Sequence, residues 1–358
     1  MSEPPIRPVA TTGAGWTAVW SGRGWQAHAL WPLTVPYRAL VALRRACYRW
    51  GWCRSVRLDV PVIVVGNVIA GGAGKTPVVL ELVRWCAGRG IAAGIVSRGY
   101  GRTARDCREV RPDSDPADVG DEPLLLARAT GLPVFVAPLR AAAAQALLQR
   151  HPGTRLIVCD DGLQHLALQR DLEICVFDDR ATGNGWLLPA GPLREPWPRR
   201  VDFVLRTLGA QPHPGATRPT IAPALMQPGA PVFDAVRTLA RHAVNNHGAT
   251  LDLRTLAGAP ATAVCGIARP ERFFSMLRTA GIVLQRTTAL ADHDAFAGFL
   301  DAQASGGATD PLPLLCTEKD APKLWKLRPD AWAVPLVCTL DTGFWVALEQ
   351  WLEARETA

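Results

Sequence analysis

Six consecutive residues, Gly71-Gly72-Ala73-Gly74-Lys75-Thr76, combine the parts that hold a nucleotide's phosphates. Backbone N–H groups of a glycine turn enclose phosphate oxygens, a lysine reaches the β- and γ-phosphates, and a threonine hydroxyl suits Mg²⁺. Ile69 stands where the strict pattern has its first glycine and Ala70 follows it, so the match is a variant. The plain alternative is a glycine turn between a strand and a helix. Asp160-Asp161 follow the apolar run 156–159 (LIVC), the place of a Mg-nucleotide carboxylate, although acids there can also cap a helix. Asp121, in Gly120-Asp121-Glu122-Pro123, can accept a hydroxyl proton or cap the helix that follows. Arg98 and Arg102, in Ser97-Arg98-Gly99-Tyr100-Gly101-Arg102, suit anionic substrate groups or a solvated loop. His293, in Asp292-His293-Asp294, can hydrogen-bond a catalytic carboxylate, though an isolated motif of this kind is more often a loop.

These groups need elements to position them. Short β-branched or apolar runs at 60–65, 91–96, 133–137, 156–159 and 173–177 read as strands, and 77–88 and 140–150 as helices. The alternation predicts an α/β fold with a mostly parallel sheet flanked by helices, whose ligands bind at the carboxyl ends of the strands. Pro189, Pro192, Pro196 and Pro198 mark a loop, and prolines recur over 210–230. Beyond them, strands at 261–266, 282–287, 313–317 and 335–339 alternate with helices at 270–280, 295–304 and 344–355, giving a smaller C-terminal α/β lobe. The chain divides into an N-terminal segment 1–55, a core 56–225 and a C-terminal lobe 226–358.

The composition of the 358 residues, 48% hydrophobic and 20% charged, is that of a folded globular protein. A net charge of +7 favours an anionic partner: nucleotide, phospholipid surface or nucleic acid. Nine scattered cysteines without a Cys-x-x-Cys pair read as reduced, packed thiols. No secretory signal or transmembrane run is expected. Between Trp25 and Trp52, aromatic residues interleave with Arg38, Arg44, Arg45 and Arg49. A helix from Pro36 places Leu40, Leu43, Cys47 and Trp50 on one face, which can lie in a membrane interface or pack on the main domain. Two rival classes follow from the phosphate loop and the charge: an ATPase switch coupled to a protein partner, and a nucleic-acid-dependent NTPase. The second is disfavoured because the clearest pairing of arginines with aromatics is confined to the N-terminal helix.

Read in order, eight stretches resemble one family, the tetraacyldisaccharide 4′-kinases of lipid A assembly. They are VIVVGNVIAGGAGKTP (62–77), SRGYGR (97–102), GDEPLLLA (120–127), DDGLQH (160–165), LLPAGPLREP (187–196), GIARPERFF (266–274), DHDAF (292–296) and TEKDAPKL (317–324). The resemblance implies a P-loop NTPase-like core, a smaller C-terminal lobe and an N-terminal membrane-associated helix. It implies transfer of the ATP γ-phosphoryl, with Mg²⁺, to the 4′-hydroxyl of tetraacyldisaccharide 1-phosphate to form lipid IVA. Asp121 takes the catalytic place with His293 as its partner. The nucleotide falls on Ile69, Ala70, Gly71, Gly72, Ala73, Gly74, Lys75 and Thr76, and the metal on Thr76, Asp160 and Asp161. The motif residues Arg98, Tyr100, Arg102, Glu122, Gln164 and His165 are the candidates for substrate contacts. The implied partners are the lipid A precursor and a membrane surface, with no nucleic acid and no protein partner. The implied location is the cytoplasmic face of the bacterial inner membrane, peripheral or monotopic. Two residues depart from the family pattern: Ala73 replaces a polar residue between the glycines, and Pro322 argues against a regular helix in TEKDAPKL.

Overall fold

The structure is a computed structural model and describes residues 12–209, 223–225, 229–296, 299 and 312–356. The proline-rich segment 210–222 and most of the helix expected at 295–304 lie outside them. The strands are β1 (Val62–Gly66), β2 (Ala93–Ser97), β3 (Arg108–Val110), β4 (Val134–Val136), β5 (Leu156–Asp160), β6 (Leu172–Phe177), β7 (Phe203–Gly209), β8 (Val232–Leu239), β9 (His242–Val244), β10 (Thr250–Asp252), β11 (Pro260–Cys265), β12 (Val283–Ala289), β13 (Leu314–Thr317), β14 (Trp332–Val334) and β15 (Leu336–Leu340). The helices used below are α1 (Thr12–Ser21), α2 (Trp25–Leu30), α3 (Thr34–Arg49), α4 (Lys75–Gly88), α5 (Pro116–Val119), α6 (Asp121–Thr130), α7 (Arg140–Arg150) and α8 (Pro270–Thr279).

One sheet runs β15-β8-β7-β6-β1-β5-β2-β4-β3. Its interior pairs are parallel, and antiparallel β15 and β3 close the two edges. β1 lies in the middle because VIVVG is buried on both faces, as parallel strands covered by helices must be. Its side chains alternate. Ile63 and Val65 pack with α4, α6 and the C-terminal helix Thr342–Glu356, whereas Val62 and Val64 pack with α7 and the 187–193 loop. The expected strands and helices of this half are present, shifted at most by a few residues.

The second sheet runs β10-β9-β14-β13-β11-β12 and packs Phe273, Phe274 and Leu277 of α8 against β11. The lobes do not divide at residue 226. β8, β15 and the C-terminal helix lie beyond that point yet complete the first sheet, and only 242–334 builds the second. The smaller lobe is therefore inserted between two strands that pair with each other, Leu336 opposite Leu239 through Leu340 opposite Ala235. The prolines at 210–230 mark a connection between β7 and β8, not the edge of a lobe.

At the N-terminus, α3 starts two residues before Pro36, and Leu40, Leu43 and Trp50 are 65%, 55% and 57% exposed. Those three side chains of the expected face are left uncovered, while the fourth, Cys47, is partly buried. The helices are anchored elsewhere: Tyr37 Oη donates to the Arg194 carbonyl at 2.8 Å, and Trp20 Nε1 to the Pro189 carbonyl at 2.9 Å. No helix among the described residues is long and apolar enough to cross a membrane. All nine cysteines are free.

Candidate active site

The glycine loop leaves β1 and enters α4 at its N-terminus, at the carboxyl end of the parallel strands. Gly71 and Gly74 have φ of 89° and 78°, the left-handed region that favours glycine and lets the loop curl back on itself. Asn67, fully buried, pins the curl by donating to the carbonyls of Ile69 at 2.8 Å and Gly71 at 3.3 Å. The loop's outer side is fixed by the 187–196 motif. Ala70 N–H donates to the Pro192 carbonyl and Arg194 N–H to the Val68 carbonyl, at 2.8 and 2.7 Å. Arg180 closes the rim, donating to the Ala70 carbonyl at 3.1 Å while paired with Asp178.

Lys75 Nζ rests 3.4 Å from both Asn67 Oδ1 and Asp161 Oδ1. The two acids at the end of β5 differ sharply. Asp161, at φ 50°, is paired with Lys75 and, at 3.4 Å, with Arg194. Burial pushes its carboxyl up, but Lys75, Arg194 and Arg140 outweigh burial and hold it below the ordinary range. Asp160 is 1% exposed, and its Oδ1 has no hydrogen-bond partner. Burial, with the negative charges of Glu122 and Asp161, pushes its carboxyl up to about 7. A buried, orphaned carboxylate oxygen beside a phosphate cradle is what a hard cation requires, and Mg²⁺ takes one or two carboxylates and completes its shell with phosphates and water. The residues present fit that ion.

Asp121 opens α6 and is 5% exposed. His293 Nδ1 donates to its Oδ2 at 2.8 Å, and Lys323 Nζ to the same atom at 2.7 Å. Both donors come from the smaller lobe, so the site is assembled across the interface. Burial alone raises the Asp121 carboxyl, but the bonds from His293 and Lys323 prevail and hold it below its ordinary value. His293 has φ of 67°, and its ring lies 5.2 Å from that of Tyr100. Lys319 joins the same cluster, 3.1 Å from Asp292 and 3.7 Å from Glu122.

A glycine loop open to solvent at Gly71 and Gly72, a carboxylate pair at the neighbouring strand end and a held carboxylate facing across the lobes are the parts that phosphoryl transfer needs. Comparison with known proteins agrees. The family model described as tetraacyldisaccharide-1-P 4′-kinase matches residues 26–354. The chain belongs to this family. A tetraacyldisaccharide 4′-kinase of Acidovorax ebreus is 56% identical to it, covering 92% of each chain. One of Verminephrobacter eiseniae is 53% identical, covering 99% of this chain and 78% of the relative. The fold is similar to the solved structure of LpxK from Aquifex aeolicus in complex with ATP, with a TM-score of 0.75 at 25% identity, covering 92% of this chain and 99% of that one. The chain is thus an ATP-dependent kinase of lipid A biosynthesis.

The family motifs do not all converge on one spot. Arg98 and Tyr100 are exposed beyond β2, and Thr76 and Glu122 are partly exposed. The Arg102 side chain turns inward, donating to the Asp106 carbonyl at 2.5 Å. Gln164 donates to the Asn67 carbonyl and to Glu195, at 2.9 and 2.8 Å, and so braces the loop from behind. His165 Nε2 accepts the Arg140 N–H at 3.0 Å, capping α7. Burial, with the charges of Arg140 and Arg170, lowers His165 to about 4. Because this lies below the ordinary 6.5, the unfolded chain takes up the proton first on acidification, and stability falls as pH drops from 6.5 toward 4. His165→Gln keeps an acceptor for the cap without the titration. Its unfolding temperature, followed by circular dichroism, should fall less over that window, by roughly 2–4 °C; parallel curves would remove His165 as the cause.

Lys319, Lys323, Arg180, Arg194 and Asn67 were not singled out from the sequence, although every one except Arg180 lies within a quoted motif. Spacing along the chain carries no sign that a lysine in TEKDAPKL meets Asp121, 202 residues away. A short helix, Ala321–Leu324, does form there, because Pro322 falls in its first turn, where the missing N–H costs nothing.

Proposed function

We propose that Asp121 aligns and deprotonates the 4′-hydroxyl of tetraacyldisaccharide 1-phosphate while the 69–76 loop presents the γ-phosphoryl of ATP. The observation that carries this reading is the 2.8 Å contact between Asp121 and His293 across the two lobes. With Oδ2 occupied by His293 and Lys323, Asp121 keeps Oδ1 for the incoming hydroxyl. A carboxylate of low proton affinity does not strip a sugar hydroxyl beforehand. It accepts the proton as negative charge leaves the oxygen in a loose transition state. Lys75 and the backbone N–H groups of the loop neutralise charge on the phosphates, and little covalent help is needed. Thr76 and Asp160 would hold Mg²⁺, which when bound supplies charge neutralisation between the phosphates. Asp161, already paired with Lys75 and Arg194, positions the lysine.

The acceptor's acyl chains need an apolar surface, and the exposed Leu40, Leu43, Trp50 and Trp52 beside four arginines supply one. The 187–196 loop touches both this helix, through Tyr37, and the phosphate loop, through Ala70. The helix lying flat on the cytoplasmic leaflet would therefore seat the site near the headgroups. Replacing Leu40 and Leu43 together by serine removes two side chains worth about 1.5–3 kcal/mol each on burial, weakening partition onto anionic vesicles by at least ~10²-fold. Sedimentation with vesicles measures this, and unchanged partition would exclude α3 as the anchor.

Transfer of labelled γ-phosphate from Mg-ATP to tetraacyldisaccharide 1-phosphate in detergent micelles tests the whole reading. Labelled lipid that requires the acceptor is the expected result. ATP consumed equally without it would favour an ATPase switch instead.

A further inference from the structure

Arg180, Arg194 and Arg237 contact the phosphate loop or its flanks, Arg269 and Arg272 stand behind Arg180's partner Asp178 and its neighbour Asp179, and four of these five have carboxylate partners. Arg180 pairs with Asp178, Arg194 with Asp161, Arg269 with Asp178 and Asp179, and Arg272 with Asp179. The fifth, Arg237, has no ion pair among the described residues. It comes from β8, opposite Gly209 of β7 and Cys338 of β15, near the carboxyl end of the parallel strands. Its guanidinium lies against the last glycine of the loop. A Cβ built on Gly74 would stand 2.5 Å from Arg237 Nη1 and 3.3 Å from Cζ.

An unpaired guanidinium in a half-buried place is costly, and here the neighbours add to the cost. Burial, reinforced by the positive charge of Arg272, lowers Arg237 to about 10, with Asp178 and Asp179 offsetting only part of it. The group stays charged at neutral pH, next to loop N–H groups that carry the same sign of partial charge. An anion entering between them would give the guanidinium an ionic partner and meet the loop N–H groups at the same time.

We propose that Arg237 binds an oxygen of the nucleotide's phosphate chain, reaching it across Gly74 from the strand beside the loop. This rests on the reading of residues 69–76 as the nucleotide site. The phosphate chain would gain a donor that the loop motif does not contain. A side chain at residue 74 would displace the Arg237 guanidinium from its present place.

Equilibrium binding of Mg-ATP and of adenosine, which carries no phosphate, separates the alternatives. Arg237→Ala should weaken Mg-ATP by ~10- to 100-fold, the size of a hydrogen bond to a charged group, with adenosine binding unchanged. Arg237→Lys should recover part of the loss, since the ammonium keeps the charge but not the fork. Unchanged Mg-ATP affinity in Arg237→Ala, with a loss in Lys75→Ala, overturns the inference and leaves the phosphate loop standing. No loss in either variant overturns the loop reading itself. Equal losses of ATP and adenosine also overturn the inference, since Arg237 would then prop the base or the fold. If the alanine protein does not fold, Arg237→Gln, which keeps length and polarity, is read against the same outcomes.

Discussion

Asp121→Asn is expected to lower turnover ~10²- to 10⁴-fold while Mg-ATP still binds. The amide has nearly the shape of the carboxylate, so α6 and the lobe interface should persist. What it loses is the capacity to take a proton and one of its two acceptor oxygens. In the parent, Oδ2 accepts from His293 and Lys323 at 2.8 and 2.7 Å. An amide oxygen at that place can still accept both, but the NH₂ then faces the acceptor's hydroxyl and donates where the reaction needs an acceptor. Turnover should fall at saturating concentrations of both substrates, because the lost interaction belongs to the transition state. His293→Ala leaves the carboxylate and Lys323 in place, and should cost less than Asp121→Asn. Steady-state kinetics with equilibrium ATP binding decide the matter. Near-parental turnover in Asp121→Asn would demote the aspartate to a helix cap.

The core of the large sheet was legible because its signals are local. VIVVG, LIVCD and LEICVF are buried runs bounded by turns, and the expected helix at 140–150 coincides with α7. β7 and β8 were not legible. FVLRTLG and VFDAVRTL carry charges inside the strand, which read against burial. The structure reconciles them across the pair, where Arg206 Nε meets Asp234 Oδ1 at 2.8 Å. A buried arginine is tolerated when its partner sits on the next strand, and that adjacency exists only after pairing. The same reasoning covers the site. The glycine loop is contiguous, so its residues announce themselves together. Asp121, His293 and Lys323 lie on three segments of two lobes, and only a family resemblance linked the first two. Nothing linked the third. Arg237 was hidden for both reasons, being on an unrecognised strand and remote from the loop it touches.

The insertion of the smaller lobe between β8 and β15 gives these remote contacts a common basis. The lobe leaves and rejoins the large sheet through two neighbouring antiparallel strands, so its attachment is narrow. Its other holds on the core include two charged sets: His293, Lys319 and Lys323 on Asp121 and Glu122 at one side, Arg269 and Arg272 on Asp178 and Asp179 at the other. Both sets flank the phosphate cradle. The Asp121 carboxylate thus meets His293 and Lys323 only when the lobes are apposed, and on the proposed reading that apposition would couple binding of ATP to binding of the acceptor.

Asp160→Asn should separate catalysis from stability. The carboxylate is 1% exposed with an orphaned Oδ1, a poor arrangement for the empty protein and a good one for a cation. Neutralising it should reduce turnover ~10²- to 10³-fold, the scale for losing a group that stabilises transition-state charge. Added Mg²⁺ should then no longer tighten ATP binding. The metal-free variant should nevertheless unfold at a higher temperature than the parent at pH 8. Burial and the charges of Glu122 and Asp161 raise the Asp160 carboxyl to about 7, above the ordinary 3.8. The contribution of this group is present below 3.8 and lost as pH rises through about 7, so the parent's deficit opens across that interval and is full at pH 8. Asp161→Asn should behave differently, since Asp161 is already neutralised by Lys75 and Arg194 and its loss unpairs both cations. That variant should be less stable, not more. Calorimetry and steady-state turnover of the two proteins with and without Mg²⁺ distinguish them: parental turnover in Asp160→Asn, together with lost Mg²⁺ dependence in Asp161→Asn, would transfer the metal to Asp161. The expected opposite result means that the stability sacrificed at Asp160 is what keeps an acceptor oxygen free for the ion.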